Sequence, residues 1–229
     1  MKPTGFTAAV SLLFATLTST SGANADSRAL GAIPLPPFAE SRLVASDIVQ
    51  NGRLVSIATL ELAGTVEETL AFYREAWPSD ADGPGHLESV VGEWTVVSRV
   101  ADDVNLVVQL TDDGSGPNGL LSAMSLGAVS EVSSVPPMPS GGELLSTTSS
   151  ADSGTRADTA IVSSTARAGE VAGFYRDSMR RSGWKLVSDR HEGGPVTLLF
   201  DGHDARLEIV VADIDGGSVA VINEVHGDD

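Results

Sequence analysis

The sequence predicts an α+β protein made of two tandem repeats, each an antiparallel sheet with one packed helix in the order ββαββββ. Three observations lead to this prediction. The stretch AFYREAW (71–77) recurs as GFYRDSM (173–179), two strand-like runs precede each copy, and further alternating runs follow each copy. Strands grouped around a single helix are typical of a sheet with a helix on one face. An alternative joins the two sheets edge to edge as one unit.

Each repeat begins with a predicted hairpin. In the first repeat, residues 43–49 lead into Asn-Gly at 51–52, the strongest short hairpin signal. In the second repeat, residues 144–149 lead into a turn around 153–154. A second strand then runs into the helix in both repeats.

The Tyr-Arg-acid triplet on the two helices marks either a duplicated catalytic site or a duplicated core. At about 100° per residue the Phe-Tyr pair falls on an apolar face, whereas the acidic residue points to solvent. We therefore interpret the triplet as architectural. Thr65 and Glu68 predict a capping box at the first helix, and Gly183 predicts the end of the second. The predicted apolar faces are Val66, Thr69, Leu70, Phe72, Tyr73, Ala76 and Trp77, and Ala168, Val171, Ala172, Phe174, Tyr175, Ser178 and Met179.

Changes in composition divide the chain into four predicted parts. These are a signal peptide at 1–25, a first α+β repeat at 26–129, a Pro/Ser-rich linker at 130–142 and a second α+β repeat at 143–229. The prolines of the linker favour a short, semi-rigid spacer.

The N-terminal residues have the layout of a secretory signal peptide. Lys2 precedes an uncharged, mostly apolar run at 5–17, and an A-x-A pattern ends at Ala25. We expect an exported protein, periplasmic or extracellular after cleavage near Ala25. We predict no membrane span in the mature chain, because no later run approaches the length of about 20 apolar residues that a spanning helix needs.

The charge and the lack of cysteine exclude several classes of function. The formal net charge is −17 at pH 7, and the chain contains no cysteine. Nucleic acids and anionic lipids are bound through basic patches, so an acidic surface disfavours both. Without cysteine there are no disulfides, thiolate metal sites or thiol nucleophiles. A protein or cell-wall partner of basic character fits this charge.

No catalytic motif assembles in the sequence, so we predict a protein that is not an enzyme and has no cofactor. Ser182 and Lys185 match Ser-x-x-Lys, but the accompanying Ser-Asp-Asn and Lys-Thr-Gly motifs are absent. The four histidines show no H-E-x-x-H spacing.

Two Asp/Gly loops are weak candidates for calcium sites. They fall at matching places in the two repeats, and their candidate ligands are Asp112, Asp113, Asp213 and Asp215. Calcium prefers several oxygen ligands on a turning backbone. Because the full calcium-loop motif is missing and Asp-Gly is ordinary turn chemistry, polar turns are the favoured interpretation.

Three functions fit these observations. The favoured one is an exported, non-enzymatic binding or scaffolding protein of the bacterial envelope or secreted fraction, with open sheet edges for strand addition. The alternative is a small-ligand carrier with a pocket between helix and sheet, lined by Phe72, Trp77, Phe174 and Met179. The third is a hydrolase that works through paired acids, for which the sequence selects no pair.

Overall fold

The structure is a computed structural model that describes residues 27–79, 85–112, 114, 116–127, 135–152, 154–191, 193–202 and 204–227. The predicted signal peptide (1–25) and part of the predicted linker lie outside the described residues.

Strands dominate the described chain. The first half contains α1 (Ser27–Leu30), β1 (Ala39–Gln50), β2 (Arg53–Leu62), α2 (Val66–Ala76), β3 (Leu87–Val91), β4 (Trp94–Ala101), β5 (Val104–Asp112) and β6 (Pro117–Ser125). The second half contains β7 (Gly142–Asp152), β8 (Thr155–Ser164), α3 (Ala168–Arg181), β9 (Lys185–His191), β10 (Val196–Gly202), β11 (Ala205–Ile214) and β12 (Gly217–His226).

The strands form one antiparallel sheet of twelve, in the order β3-β4-β5-β6-β2-β1-β7-β8-β12-β11-β10-β9. The predicted fold class, two tandem ββαββββ-like repeats that each have a sheet of their own, is therefore wrong. A single sheet runs through both halves of the molecule, and the edge-to-edge alternative describes it better. The physical reason is that β1 and β7 pair with each other instead of leaving two exposed edges, which would attract other chains.

The junction between β1 and β7 is short but well bonded. Two residue pairs, Val49–Ser149 and Gln50–Thr148, form its ladder. Asn51 extends it, because its backbone N–H donates to the Thr147 carbonyl at 2.9 Å and its side-chain Oδ1 accepts from the Thr147 N–H at 2.9 Å. The predicted Asn-Gly turn is confirmed by positive φ angles of 50° and 77° at residues 51 and 52.

Local sequence signals set the start of α2 and the end of α3. The predicted capping box of α2 is confirmed: the Glu68 N–H donates to the Thr65 hydroxyl at 3.1 Å, and the Thr65 N–H donates to the Glu68 carboxylate at 2.8 Å. Helix α3 ends as predicted at Gly183, where φ is 91° and the Trp184 N–H donates to the Met179 carbonyl at 3.0 Å.

Helices α2 and α3 each pack one apolar face on the sheet, and each half has its own cluster of buried side chains. Tyr73 and Tyr175 have no exposed surface, which confirms the interpretation of the aromatic pair as core. The arginine that follows each tyrosine reaches outward to an edge strand. Arg74 pairs with Glu88 of β3 at 2.8 Å, and Arg176 pairs with Asp189 of β9 at 2.8 Å.

Among the described helices, none has the length and apolar character that crossing a bilayer requires.

Candidate functional site

Two hollows lie at matching places of the two halves. Each hollow has in its wall two residues that face each other on neighbouring strands. These residues are Ala58 and Leu121 in the first half, and Ala160 and Ile222 in the second. The first hollow, of about 490 Å³, is lined by Leu30, Gly31, Ile33, Pro34, Leu35, Ser41, Leu43, Ala58 and Leu121. The second hollow, of about 190 Å³, is lined by Val135, Pro136, Pro137, Thr147, Thr148, Ser149, Asp158, Thr159, Ala160, Met179, Ser182, Trp184, Leu207, Ile222 and Glu224.

The floor of the second hollow is apolar. Ala160, Leu207 and Ile222 belong to the buried core of the second half. Met179 closes the floor from the last turn of α3, and the half-buried Trp184 stands beside it where the chain turns into β9. An apolar side chain or ring that enters this space is removed from water against buried apolar neighbours.

One end of the second hollow is acidic. Asp158 of β8 and Glu224 of β12 face each other across the ladder, and both line the hollow. Arg156 holds Asp158 at 2.9 Å, and the Nε2 of His226 lies 3.1 Å from the Glu224 carboxylate. Directly opposed like charges destabilise a sheet, and Arg156, on the same strand as Asp158, offsets part of that cost.

The first half has no such acidic end among its described residues. The ladder position that Asp158 and Glu224 occupy in the second half is taken there by Ser56 and Ala123. These two residues are 5% and 2% exposed, so this part of the first half is closed and belongs to the core.

A short segment crosses next to each hollow before the first strand of that half. We call residues 31–36 the first covering segment and residues 135–139 the second covering segment. Each ends in a proline whose carbonyl accepts from the N–H three residues later: Pro36 from Ala39 at 3.0 Å, and Pro139 from Gly142 at 2.9 Å. The two segments are therefore anchored in the same way.

The first covering segment is tied to helix α2. The Tyr73 hydroxyl donates to the Pro34 carbonyl at 3.0 Å, and Ile33 is only 3% exposed. Trp77, one turn further along the helix, packs on the tyrosine with ring centroids 4.9 Å apart. Segment, tyrosine and tryptophan form one packed unit.

The second covering segment lacks this tie. Tyr175 occupies on α3 the place that Tyr73 has on α2, and its buried hydroxyl has no hydrogen-bond partner among the residues that the structure describes. Val135 is 56% exposed, and Met179 stands where α2 has Trp77. Burial raises the pKa of Tyr175 to about 12, so the hydroxyl is a neutral donor at physiological pH.

The four candidate calcium ligands belong to two separate turns. Asp112 accepts from the Gly114 N–H at 3.1 Å in its own turn, and Asp113 lies outside the described residues. Asp213 accepts from the Ala168 N–H at 2.8 Å and so serves the start of α3, while Asp215 is exposed in the turn before β12. Six strands separate β5 from β11 in the sheet order. The described residues contain no group of three metal-ligating side chains.

Of the four side chains predicted to line a pocket, Met179 lines the second hollow, and the other three are absent from the described walls of both hollows. Trp77 is buried in the core, and Phe72 and Phe174 pack against the two cores. The second covering segment was missed, because Pro136 and Pro137 were interpreted as part of a linker. Their resemblance to the Pro-Pro before the first repeat was the available signal.

One stretch of the chain is similar to a known family. Residues 144–217 match the START domain-like family. The match covers about a third of the 229 residues, from within β7 to the first residue of β12, and includes most of the wall of the second hollow. No curated protein and no solved structure shows significant similarity to the chain.

Proposed function

We propose that the protein is an exported, non-enzymatic carrier of a small ligand, which is held in the second hollow. The observation that carries this proposal is the wall of that hollow, a buried apolar floor with polar side chains at one end. Ligand pockets have this composition, in which apolar groups supply affinity and a few polar groups fix orientation. The START domain-like match over 144–217 supports a ligand-binding role, because it spans most of the same wall.

The volume limits what enters the second hollow. Its 190 Å³ is smaller than the roughly 300–1,000 Å³ of most ligand pockets. It is somewhat larger than a dry cavity of about 150 Å³ that binds benzene. A single ring or a short branched chain fits, and the remainder of a larger ligand lies outside, against the second covering segment.

The charge of the wall limits the ligand further. Glu224 and Asp158 place two carboxylates at one end of the hollow. Arg156 compensates Asp158, whereas no lysine or arginine pairs with Glu224 among the described residues. An anionic ligand therefore meets net repulsion at neutral pH, so the proposed ligand is neutral or cationic.

The first hollow is larger but less suited to specific binding. Ser41 supplies the one polar side chain among its described wall residues, and Leu35 and Leu43 are 41% and 37% exposed. A wall of this kind offers little to orient a ligand. We assign the first hollow a structural role.

The proposal is tested by titrating the full mature chain with acetophenone, a neutral ring of suitable size, and following the ligand by NMR. We expect a dissociation constant of about 0.1–1 mM, corresponding to roughly 4–5.5 kcal/mol. Met179→Trp introduces the bulk that α2 carries at Trp77, and we expect it to weaken binding at least about tenfold by filling the hollow.

Ile222→Phe is a second blocking variant from a different element, and Leu121→Phe is its matched control in the first half. Circular dichroism shows which variants keep the fold. Binding that is absent in the wild type, or that persists in both folded blocking variants, contradicts the proposal. Native mass spectrometry of the chain purified from its own host then identifies the natural ligand.

A scaffolding role is the second candidate, and one observation favours it. The strand β3 forms a free edge of the sheet, and Leu87, Val90 and Val91 on it are 65%, 74% and 63% exposed. An exposed apolar edge accepts an added strand from a partner. Val90→Lys should abolish a crosslinked partner that depends on this edge while leaving acetophenone binding unchanged. A partner that is retained by this variant does not bind there.

A further inference from the structure

The acidic pair in the wall of the second hollow is not required by the fold. Asp158 and Glu224 face each other on β8 and β12, and the same ladder position in the first half holds Ser56 and Ala123. Side chains that face each other on neighbouring antiparallel strands have Cβ atoms about 4.5–5.5 Å apart, so two carboxylates there repel each other. Because the first half builds the same ladder without acids, the pair does not serve the sheet.

The surroundings of this pair distinguish it from the other acids of the chain. The sequence has 31 acidic residues, so two neighbouring acids do not by themselves indicate a site. Asp158 and Glu224, however, line a hollow with a floor of buried apolar side chains, and Trp184 stands in the same wall. The other described wall residues are all uncharged. An apolar space with an aromatic side chain and carboxylates at one end has the composition of a site for an organic cation.

The charges around the pair leave one carboxylate available to a ligand. Arg156 donates to Asp158 through two nitrogens, at 2.9 and 3.4 Å, so its single charge is committed to that acid. Glu224 contacts the Nε2 of His226 through one carboxylate oxygen at 3.1 Å, and its other oxygen takes part in no ion pair within the described residues. A carboxylate accepts up to about four hydrogen bonds. With histidine counted as neutral, two acids and one arginine leave one negative charge and several acceptor positions.

We infer that the ligand of the second hollow is a primary ammonium ion with one positive charge, joined to a ring or a short branched chain. Its N–H groups donate to Glu224, and its apolar part lies on the floor formed by Ala160, Leu207 and Ile222. This inference rests on the proposed function and deepens it, because it restricts a neutral or cationic ligand to a cationic one. It makes Glu224 the residue that determines specificity.

The physical chemistry of the two hollows agrees with this assignment. Hydrogen bonds to an ionised acceptor are roughly twice as strong as those between neutral groups, and a cation beside Glu224 also weakens the repulsion between the facing carboxylates. The described wall of the first hollow carries no charged side chain and so offers an ammonium group nothing comparable. Glu224 lies beyond residues 144–217, so the family match does not supply the pair.

The test compares benzylamine, which is cationic at neutral pH, with benzyl alcohol, in which a hydroxyl replaces the ammonium group. In titrations of the full mature chain we expect benzylamine to bind about tenfold more tightly. Glu224→Gln keeps the shape of the side chain, removes its charge and should reduce this preference to about threefold or less. Glu208→Gln removes the same charge from the exposed side of β11, and this matched control should keep the preference.

The melting temperature gives an independent readout. Glu224→Gln relieves the repulsion between the facing acids, so the melting temperature of the free variant should be unchanged or higher. Glu224→Ala is a second variant, which copies what the first half has at Ala123. In the wild type, benzylamine should raise the melting temperature more than an equal concentration of benzyl alcohol does, and this difference should shrink in both Glu224 variants.

The outcomes separate the two proposals. Failure of acetophenone, benzyl alcohol and benzylamine alike to bind the wild type overturns the proposed function. Equal affinity for benzylamine and benzyl alcohol, or a preference that survives in both folded Glu224 variants, overturns the inference alone. A preference that Glu208→Gln lowers as much as Glu224→Gln reports the general charge of the chain and also overturns it. A melting temperature that falls in both free Glu224 variants would assign the acid to the fold, with the same consequence.

Discussion

We call the surroundings of Tyr73 the first corner of the molecule and the surroundings of Tyr175 the second corner. The two corners occupy matching places on one sheet, but different groups pack around the tyrosine in each. The first is completed by the chain itself, because Pro34 accepts the tyrosine hydroxyl and Trp77 packs on its ring. The second has a hydroxyl without a hydrogen-bond partner among the described residues, a smaller methionine at 179, and two acids where the first has Ser56 and Ala123. On the proposed function, the first corner serves stability and the second takes a ligand.

The largest expected effect concerns the residue one turn after each tyrosine. Trp77→Ala removes a large buried side chain from a closed core, and we expect a loss of about 3–5 kcal/mol in the free energy of unfolding. Met179→Ala should lower the free energy of unfolding by about 2 kcal/mol. This is near the low end for replacing a buried methionine by alanine, because Met179 already borders a hollow. Denaturant unfolding measures both values. Equal losses would mean that the second corner is as closed as the first.

The acidic end of the second hollow gives the next effect. Benzoate resembles acetophenone in shape but is anionic, and we expect the wild type to bind it roughly tenfold more weakly. Glu224→Gln should reduce that difference to about threefold, because it removes one of the two repelling carboxylates. Glu208→Gln removes the same charge from the exposed side of β11 and is the control. A benzoate affinity that both variants change equally would indicate a general charge effect and remove Glu224 from the site.

The smallest effect is a dependence on alkaline pH that both corners share. Burial raises the pKa of Tyr175 to about 12 and raises that of Tyr73 as well. The stability from keeping these hydroxyls neutral is complete below the ordinary tyrosine pKa of about 10 and is lost as the pH rises above it, because the unfolded chain releases its protons first. The chain has only these two tyrosines.

The free energy of unfolding of the wild type should therefore be lower when it is measured above that pH range than when it is measured below it. It should fall less in Tyr73→Phe and in Tyr175→Phe, and least in the double variant. A fall of the same size in the double variant would assign it to other groups.

Local features of the fold were predictable from the sequence, and the connection between its halves was not. The capping box at Thr65, the helix end at Gly183 and the buried tyrosines follow from short-range patterns in turns and helices. The pairing of β1 with β7 rests on two residue pairs and on Asn51. The Asn-Gly pair predicted a hairpin, but nothing in that local signal shows that the side chain of Asn51 also bonds a strand of the other half.

Most of the candidate site could not be predicted from the sequence, for a related reason. Asp158 and Glu224 are far apart in the chain and meet only through the register of β8 against β12. With 31 acidic residues, the sequence could not select this pair. The difference between the two tyrosine hydroxyls was equally unpredictable, because the repeated Phe-Tyr motif indicates that both tyrosines are buried but not whether each finds an acceptor in the part of the chain that the structure describes.

The central claim is that the second corner binds and the first does not. The most direct test is a titration of the full mature chain with acetophenone, followed residue by residue in ¹H–¹⁵N NMR spectra. The account predicts saturable shifts at Ala160 and Ile222 and none at the matching Ala58 and Leu121. Shifts confined to Ala58 and Leu121, or equal shifts at both pairs, would contradict it.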